Sequence, residues 1–418
     1  MHKAVSIALV LISLGISMAY GQPEYQLTIV GRVATPGQAE AVAVSGDFAM
    51  VADMGAGLSV FDMSQIWAPV YVTSFSNGGF VHDLVIQGNC AYLACWNAGV
   101  MIVDISDPAN PALLDSYNTP GTTVDVALEG DLLYAADLSN GILILDVTNP
   151  DSIRQVGQIP AIALSGAVAV LDTVIYVAEH TMGLLTYSLA DTADPVLRAT
   201  LPLTSDCDDI TISGNYAYLA CGSSGLVVCG IADRLNPDSV TQYNTDGQLQ
   251  RTMISDTLAY LADATGGLLS LSVANPASPV FADNLPTPGS ASGSAASGEF
   301  VYLADDDSLF VVYTRDPANG ITGGAAEIPL TVKLLQSYPN PFNASTAIRF
   351  EVAKPTWLLL DIYDTSGRLV MNLASGNYGA GEHAIRWAPG SLPTGTYFVC
   401  LTDRQSRQFS AIQIVHLK

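Results

Sequence analysis

Apolar and polar positions recur along this chain with a beat of 42 residues. One alanine column holds without slipping at Ala52, Ala94, Ala136, Ala178, Ala220, Ala262 and Ala304. Two residues earlier stands an aromatic at Tyr92, Tyr134, Tyr176, Tyr218, Tyr260 and Tyr302, with Met50 in the first copy. Six residues before each alanine comes a turn centre, at Gly46, Gly88, Gly130, Asp172, Gly214, Asp256 and Gly298. A glycine follows five residues after it at Gly57, Gly99, Gly141, Gly183, Gly225 and Gly267. The apolar runs between these marks are too short for helices and are bounded by glycine and proline, which predicts strands. Strict self-similarity at ~40–45 residues with several strands per unit predicts a propeller.

Each unit reads as four strands. In the second, 82–86 is an inner strand, Gln87-Gly88-Asn89 a tight turn, and 90–94 the second strand. The Gly99 turn leads to 100–105, and Asp107-Pro108 and Pro111 punctuate a loop before 113–117. Glycine supplies positive φ in such hairpins, and proline stands where no ladder donor is needed. Repeats one to six end in an outer strand, but the seventh, about 291–314, runs out after three. Thr35-Pro36-Gly37 is in phase with Thr119-Pro120-Gly121 and Thr287-Pro288-Gly289. Residues 26–33 therefore have the phase of an outer strand without a blade of its own. The expectation is an all-β chain: a seven-bladed β-propeller over 22–316, closed by this N-terminal strand, then a linker (317–333) and a small Ig-like β-sandwich (334–418). Closure removes exposed sheet edges.

Charge narrows the partners. Fifteen lysines and arginines face 39 acids, a formal net charge of −24. Nucleic acid binding needs cationic patches, so it is not expected. At the N-terminus, Lys3 precedes an apolar run from Ala4 to about Ile16, and Ala19-Tyr20-Gly21 offers small residues for cleavage. This predicts a signal peptide over 1–21 and no membrane span after its removal. Six cysteines in an exported chain invite a disulfide search. The hairpin turning at Gly214 sets residues summing to 428 opposite each other, which pairs Cys207 with Cys221. Cys90, Cys95, Cys229 and Cys400 have no assignable partner, and their spacing is not that of a zinc site.

In a propeller, the loops entering each inner strand and those joining the second and third strands share the face around the channel mouth. Asp83, Asp125 and Asp209 form one column there, with Arg251 replacing the acid in the sixth repeat. A second column holds Asp53, Asp137, Glu179, Asp263 and Asp305, interrupted by Cys95 and Cys221. Acids beside turns commonly bond local backbone N–H groups, the competing structural reading. Residues that break the repeat are the better ligand candidates: His82, Trp96, His180, Asp206, Asp208 and Arg251. An aromatic with a few polar groups in a concavity is a usual ligand-site composition. The candidate ligand set is His82, Asp83, Trp96, Asp125, His180, Asp208, Asp209 and Arg251. No cofactor is expected, although Asp305-Asp306-Asp307 and Asp206-x-Asp208-Asp209 offer oxygens to calcium. No Gly-x-Ser-x-Gly, His-Glu-x-x-His, phosphate loop or Rossmann fingerprint is present.

The stretches Val100-Met101-Ile102-Val103-Asp104, Ile142-Leu143-Ile144-Leu145-Asp146 and Leu58-Ser59-Val60-Phe61-Asp62 resemble the repeats of LVIVD-type bacterial extracellular propellers, over roughly 25–315. That resemblance implies a fold and little about activity. The tail resembles the type A C-terminal sorting domain of type IX secretion substrates. The residues that carry it are Tyr338-Pro339-Asn340-Pro341-Phe342-Asn343, Asp361-Ile362-Tyr363-Asp364 with Gly367-Arg368, Gly381-x-His383-x-Ile385-x-Trp387 and Gly395-Thr396-Tyr397-Phe398, with Lys418 at the end. Ala344 stands where the family usually has proline. The resemblance implies contact with the secretion machinery and release or anchoring at the cell surface. The expected function is a non-catalytic scaffold for an extracellular protein or glycan. The alternatives are a carbohydrate- or peptide-active enzyme at the mouth, or a structural component of an extracellular layer.

Overall fold

The computed structural model describes residues 26–76, 78–203, 205–315, 332–335, 337–364, 369–390, 392–403 and 409–417. The expected signal peptide, most of the expected linker, and Gly367, Arg368 and Lys418 lie outside them. Among the described residues there is no helix, and so none long and apolar enough to cross a membrane.

Six antiparallel four-stranded sheets follow one another. Blade one comprises Ala41–Ser45, Phe48–Ala52, Leu58–Asp62 and Val70–Phe75. Blade two comprises Asp83–Gln87, Cys90–Ala94, Val100–Asp104 and Ala112–Tyr117. Blades three to six begin with Asp125–Glu129, Ser165–Leu171, Asp209–Ser213 and Arg251–Ser255. A seventh sheet joins Ala291–Ser297, the long strand Phe300–Arg315 and the N-terminal strand Gln26–Ala39. Residues 300–305 of the long strand pair with Ala291–Ser297, and 308–315 pair with 26–34. The Thr314 N–H donates to the Glu299 carbonyl, the counterpart of Met63 to Asp47 in blade one and Ile105 to Asn89 in blade two. The long strand therefore turns back on itself at Asp306, whose φ is +56°.

The alternation along the strands explains the columns. Middle strands are buried on both faces, because another sheet covers each side, and so read as continuous apolar runs. Ala91 and Leu93 pack toward blade one, whereas Tyr92 and Ala94 pack toward blade three. The seven alanines of the repeat column all face the following blade in this way. Seven apolar clusters separate the seven sheets, and the last joins Tyr302, Ala304 and Val311 to Val51, Phe61 and Met63 of blade one. Each innermost strand neighbours the next, and Ala291–Ser297 neighbours Ala41–Ser45. Outer strands are largely exposed.

The tail forms two sheets. Val332–Leu334, Thr346–Val352 and Gly381–Trp387 make one; Leu369–Tyr378, Thr356–Asp364, Gly395–Asp403 and Phe409–His416 make the other. Val332 and Lys333, expected in the linker, already belong to the first sheet. The strand Leu369–Tyr378 was not legible in the pattern, because glycine and asparagine interrupt its alternation. The sorting motif supplies core and edge. Phe342 and Trp387 pack at 5.3 Å, Tyr397 packs on Trp387 at 5.5 Å, and Asn340 accepts the Val415 N–H. Tyr338 is exposed, with its backbone bridged to Ala347. Trp67 of blade one packs with Tyr363 and Cys400 of the tail in one small buried cluster.

Candidate functional site

Loops entering the innermost strands meet the loops between second and third strands at one end of the ring. In five blades a backbone bridge ties the loop to the next blade: Met54 to Val81, Trp96 to Thr123, Leu138 to Ser165, Gly222 to Leu249 and Ala264 to Ala291. These five ties do not depend on side-chain identity.

The outer acidic column bonds its own blade. Asp53 accepts the Gly37 N–H, Asp137 that of Gly121, Asp263 that of Gly247 and Asp305 that of Gly289. Glu179 does the same for Ile162 and Ala163 and also takes the Ser165 hydroxyl. The glycine in these loops is required by close approach: a Cβ at Gly247 would lie 2.2 Å from the Asp263 carbonyl oxygen. Burial pushes the pKa values of Asp53, Asp137, Asp263 and Asp305 upward, offset in part by these hydrogen bonds. In blade five the column holds Cys221, which is disulfide-bonded to Cys207 with Cα atoms 3.9 Å apart. There a covalent bond stands in the place of the carboxylate clamp. Cys90, Cys95, Cys229 and Cys400 are free.

The inner column bonds neighbouring blades. Asp83 accepts the Val126 N–H, Asp125 the Val168 N–H, and Asp209 the N–H and hydroxyl of Thr252. Arg251, from blade six, reaches across the channel to blade two. Its Nη1 donates to Asp83 Oδ1 at 2.5 Å and its Nη2 to the His82 carbonyl at 3.2 Å. Gly293 lies beside this arm, and close approach requires glycine there, since a Cβ would lie 2.6 Å from the Glu40 carbonyl oxygen. Burial works against the guanidinium charge, but Asp83, Asp209, Asp125 and Glu40 outweigh it and hold Arg251 protonated. Burial, and then the Asp83 charge, raise the Asp125 pKa well above the usual carboxylate range. Burial likewise raises Asp209 and Glu40. Four of the eight predicted ligand residues are therefore engaged with one another and with backbone, forming the floor of the mouth.

The other four stand above it. Trp96 lies half-buried with its ring 6.2 Å from that of His82 and 5.6 Å from that of Phe80. His82 donates from Nδ1 to the Val124 carbonyl, and burial followed by the Arg251 charge lowers its pKa, favouring the neutral imidazole. Opposite, His180 Nε2 donates to Asp208 Oδ1 at 2.9 Å, while Asp206 accepts the Thr181 N–H. Asp208 also acts electrostatically on His82, so blades two, four and five converge here. Among the described residues, no group of three or more His, Cys, Asp or Glu is arranged to hold a metal ion. Sequence reading missed Phe80, Ile162 and Leu164, which are 50%, 53% and 44% exposed on this face. The signal was available: Phe80 and Leu164 are the apolar members of a column otherwise held by Gln38, Thr122, Asp206, Gln248 and Ser290.

The LVIVD repeat family matches residues 36–76, 78–119, 120–159, 205–245, 246–287 and 288–319. Residues 336–415 match the secretion system C-terminal sorting domain. That domain implies interaction with the secretion machinery and export by the type IX pathway, to the cell surface or beyond it. No curated protein sequence matches the chain. A chain of a mitotic checkpoint complex is similar in structure at 12% identity and TM-score 0.57, over 68% of this chain and 94% of that one. PorZ, described as an essential bacterial surface component of the type-IX secretion system of Porphyromonas gingivalis, is similar at 14% identity and TM-score 0.52. That match covers 92% of this chain and 60% of PorZ. Likeness at such identities speaks to fold alone. With more than half of its residues inside the repeat matches, the chain belongs to the LVIVD repeat family.

Proposed function

We propose that this chain is a non-catalytic binding scaffold, delivered to the cell surface by its sorting domain and presenting the propeller mouth to an extracellular macromolecule. The observation that carries this reading is how the mouth's carboxylates are used. Asp83, Asp125 and Asp209 each accept a backbone N–H, Asp83 also bonds Arg251, and the outer column bonds loop N–H groups. General acid–base work needs a carboxyl or imidazole free to meet a substrate proton. With the column acids engaged, the Asp208–His180 pair is left for it, which the His180→Ala test addresses. What the mouth offers outward is a rigid rim with Phe80, Trp96 and the Asp208–His180 pair. Such a surface suits recognition and needs no cofactor.

The test uses the exported chain. Purified protein should bind a surface protein or polysaccharide preparation from the producing cell without altering it, and Trp96→Ala should weaken capture. Turnover of a polysaccharide or peptide library, abolished by His82→Ala or His180→Ala, would overturn the reading. Delivery is tested separately: deleting residues 334–418 should leave the propeller inside the outer membrane in cell fractionation.

A further inference from the structure

The apolar groups on the mouth face are not evenly distributed: exposed Phe80, half-buried Trp96 and Leu138, and exposed Ile162 and Leu164 follow one another around blades two to four. The arc is continuous: Trp96 is bridged to Thr123, Leu138 to Ser165 beside Leu164, and the His180 N–H donates to the Leu164 carbonyl. It ends on the Asp208–His180 pair, with Asp206 exposed alongside. The loop position of Trp96 and Leu138 takes a positive φ in six blades, at Met54, Gly222, Ala264 and Asp306 as well, so the left-handed backbone belongs to the repeat and not to the arc.

Charge completes the picture. Between Gln26 and Arg315 there are six arginines and no lysine against 31 acids. The mouth loops contain no cation except Arg251, which is buried in the floor. Exposed apolar patches rimmed by polar groups mark interaction sites. Aromatic faces alone would suit a sugar ring, but exposed isoleucine and leucine give a sugar neither a flat face nor a hydrogen-bond partner. They fit apolar side chains of a protein.

Building on the scaffold reading above, we infer that the mouth docks a basic, apolar-tipped protein segment. Its aliphatic or aromatic side chains lie on the Phe80–Trp96–Leu138–Leu164 arc, and its lysine or arginine side chains meet Asp206 and Asp208. The acidic propeller steers such a partner toward the face, and the apolar arc supplies the contact that holds it.

The probes are short synthetic peptides of alternating lysine and leucine, with lysine–serine and glutamate–leucine counterparts. Binding to the full chain is read by fluorescence anisotropy at physiological salt. The lysine–leucine peptide should bind, and the lysine–serine peptide should bind at least about tenfold more weakly, a difference of about 1.4 kcal/mol. The glutamate–leucine peptide should not bind. I162S/L164S and D206N/D208N should each weaken binding by about tenfold or more. V280S/F281S, on the exposed outer edge of blade six, should leave it unchanged. Equal binding of the lysine–serine peptide, or mouth variants that bind like the parent, would overturn the inference. So would a glycan captured through Trp96 in place of the peptide, although the scaffold reading would then stand. Substrate turnover at the mouth would remove the scaffold reading as well.

Discussion

Two rings of acids circle the same mouth and do different work. The outer ring, Asp53, Asp137, Glu179, Asp263 and Asp305, bonds loop N–H groups about sixteen residues away in its own repeat. The inner ring, Asp83, Asp125 and Asp209, bonds the next blade 43 residues on, and answers to Arg251 across the channel. A job done inside one repeat is copied with the repeat. A job done between blades depends on how the circle closes, so one position can carry the opposite charge. The inner ring is therefore an irregular, coupled device, and the outer ring a set of independent clamps.

Removing Arg251 should separate the rings most sharply. Arg251→Met leaves Asp83 and Asp209 buried without their counter-ion and should cost about 3–5 kcal/mol in urea unfolding. Asp83→Asn in the same chain should restore part of this, whereas additive losses would show that the pair is not coupled. The disulfide that replaces a clamp in blade five comes next. It closes a separation of 14 residues, so Cys207→Ser with Cys221→Ser should cost about 3 kcal/mol. A single clamp should matter less. Asp137→Ala leaves the Gly121 N–H unpartnered and should cost about 1–3 kcal/mol, with no effect on an Arg251 variant beyond simple addition.

The pH response should distinguish the rings again. A carboxyl whose pKa rises on folding binds its proton more tightly in the native state. Its contribution to stability is therefore lost as pH rises from the unfolded value, about 4, through the folded one. Asp125 is the group raised furthest, through burial and then Asp83. Asp125→Asn keeps an acceptor for Val168 and a donor toward Asp83 without the charge. It should flatten the fall in urea midpoint above pH 4, while Asp137→Asn should do so far less. The smallest effect belongs to the exposed rim: Asp208→Asn should change stability by no more than about 0.5 kcal/mol.

Much of this architecture could be read from the chain. Tyr92 and Ala94 repeat because each middle strand is buried by a neighbouring blade in the same way. Phase alone left residues 26–33 as an outer strand without a blade, and they pair with the last strand of the seventh sheet. The chemistry of the mouth was less legible. Counting by 42 places Arg251 in the column of Asp83, but not opposite it. Phe80 and Leu164 are hard to single out in the sequence, because lone apolar residues in loops are common and only the comparison of their column sets them apart. In the tail, Leu369–Tyr378 does not read as a strand because its asparagine and glycine break the two-residue alternation.

What the sequence determined by itself was periodic: strands, turns, the sheets they build, and the sorting tail that follows. These depend on contacts within a repeat or between a repeat and its copy, which spacing encodes. Only the tertiary structure decided which groups meet across the ring. Arg251 and Asp83 are 168 residues apart and touch because a closed circle brings blade six opposite blade two. The packing of neighbouring blades likewise sets the apolar residues of four loops along one arc, a property of no single repeat.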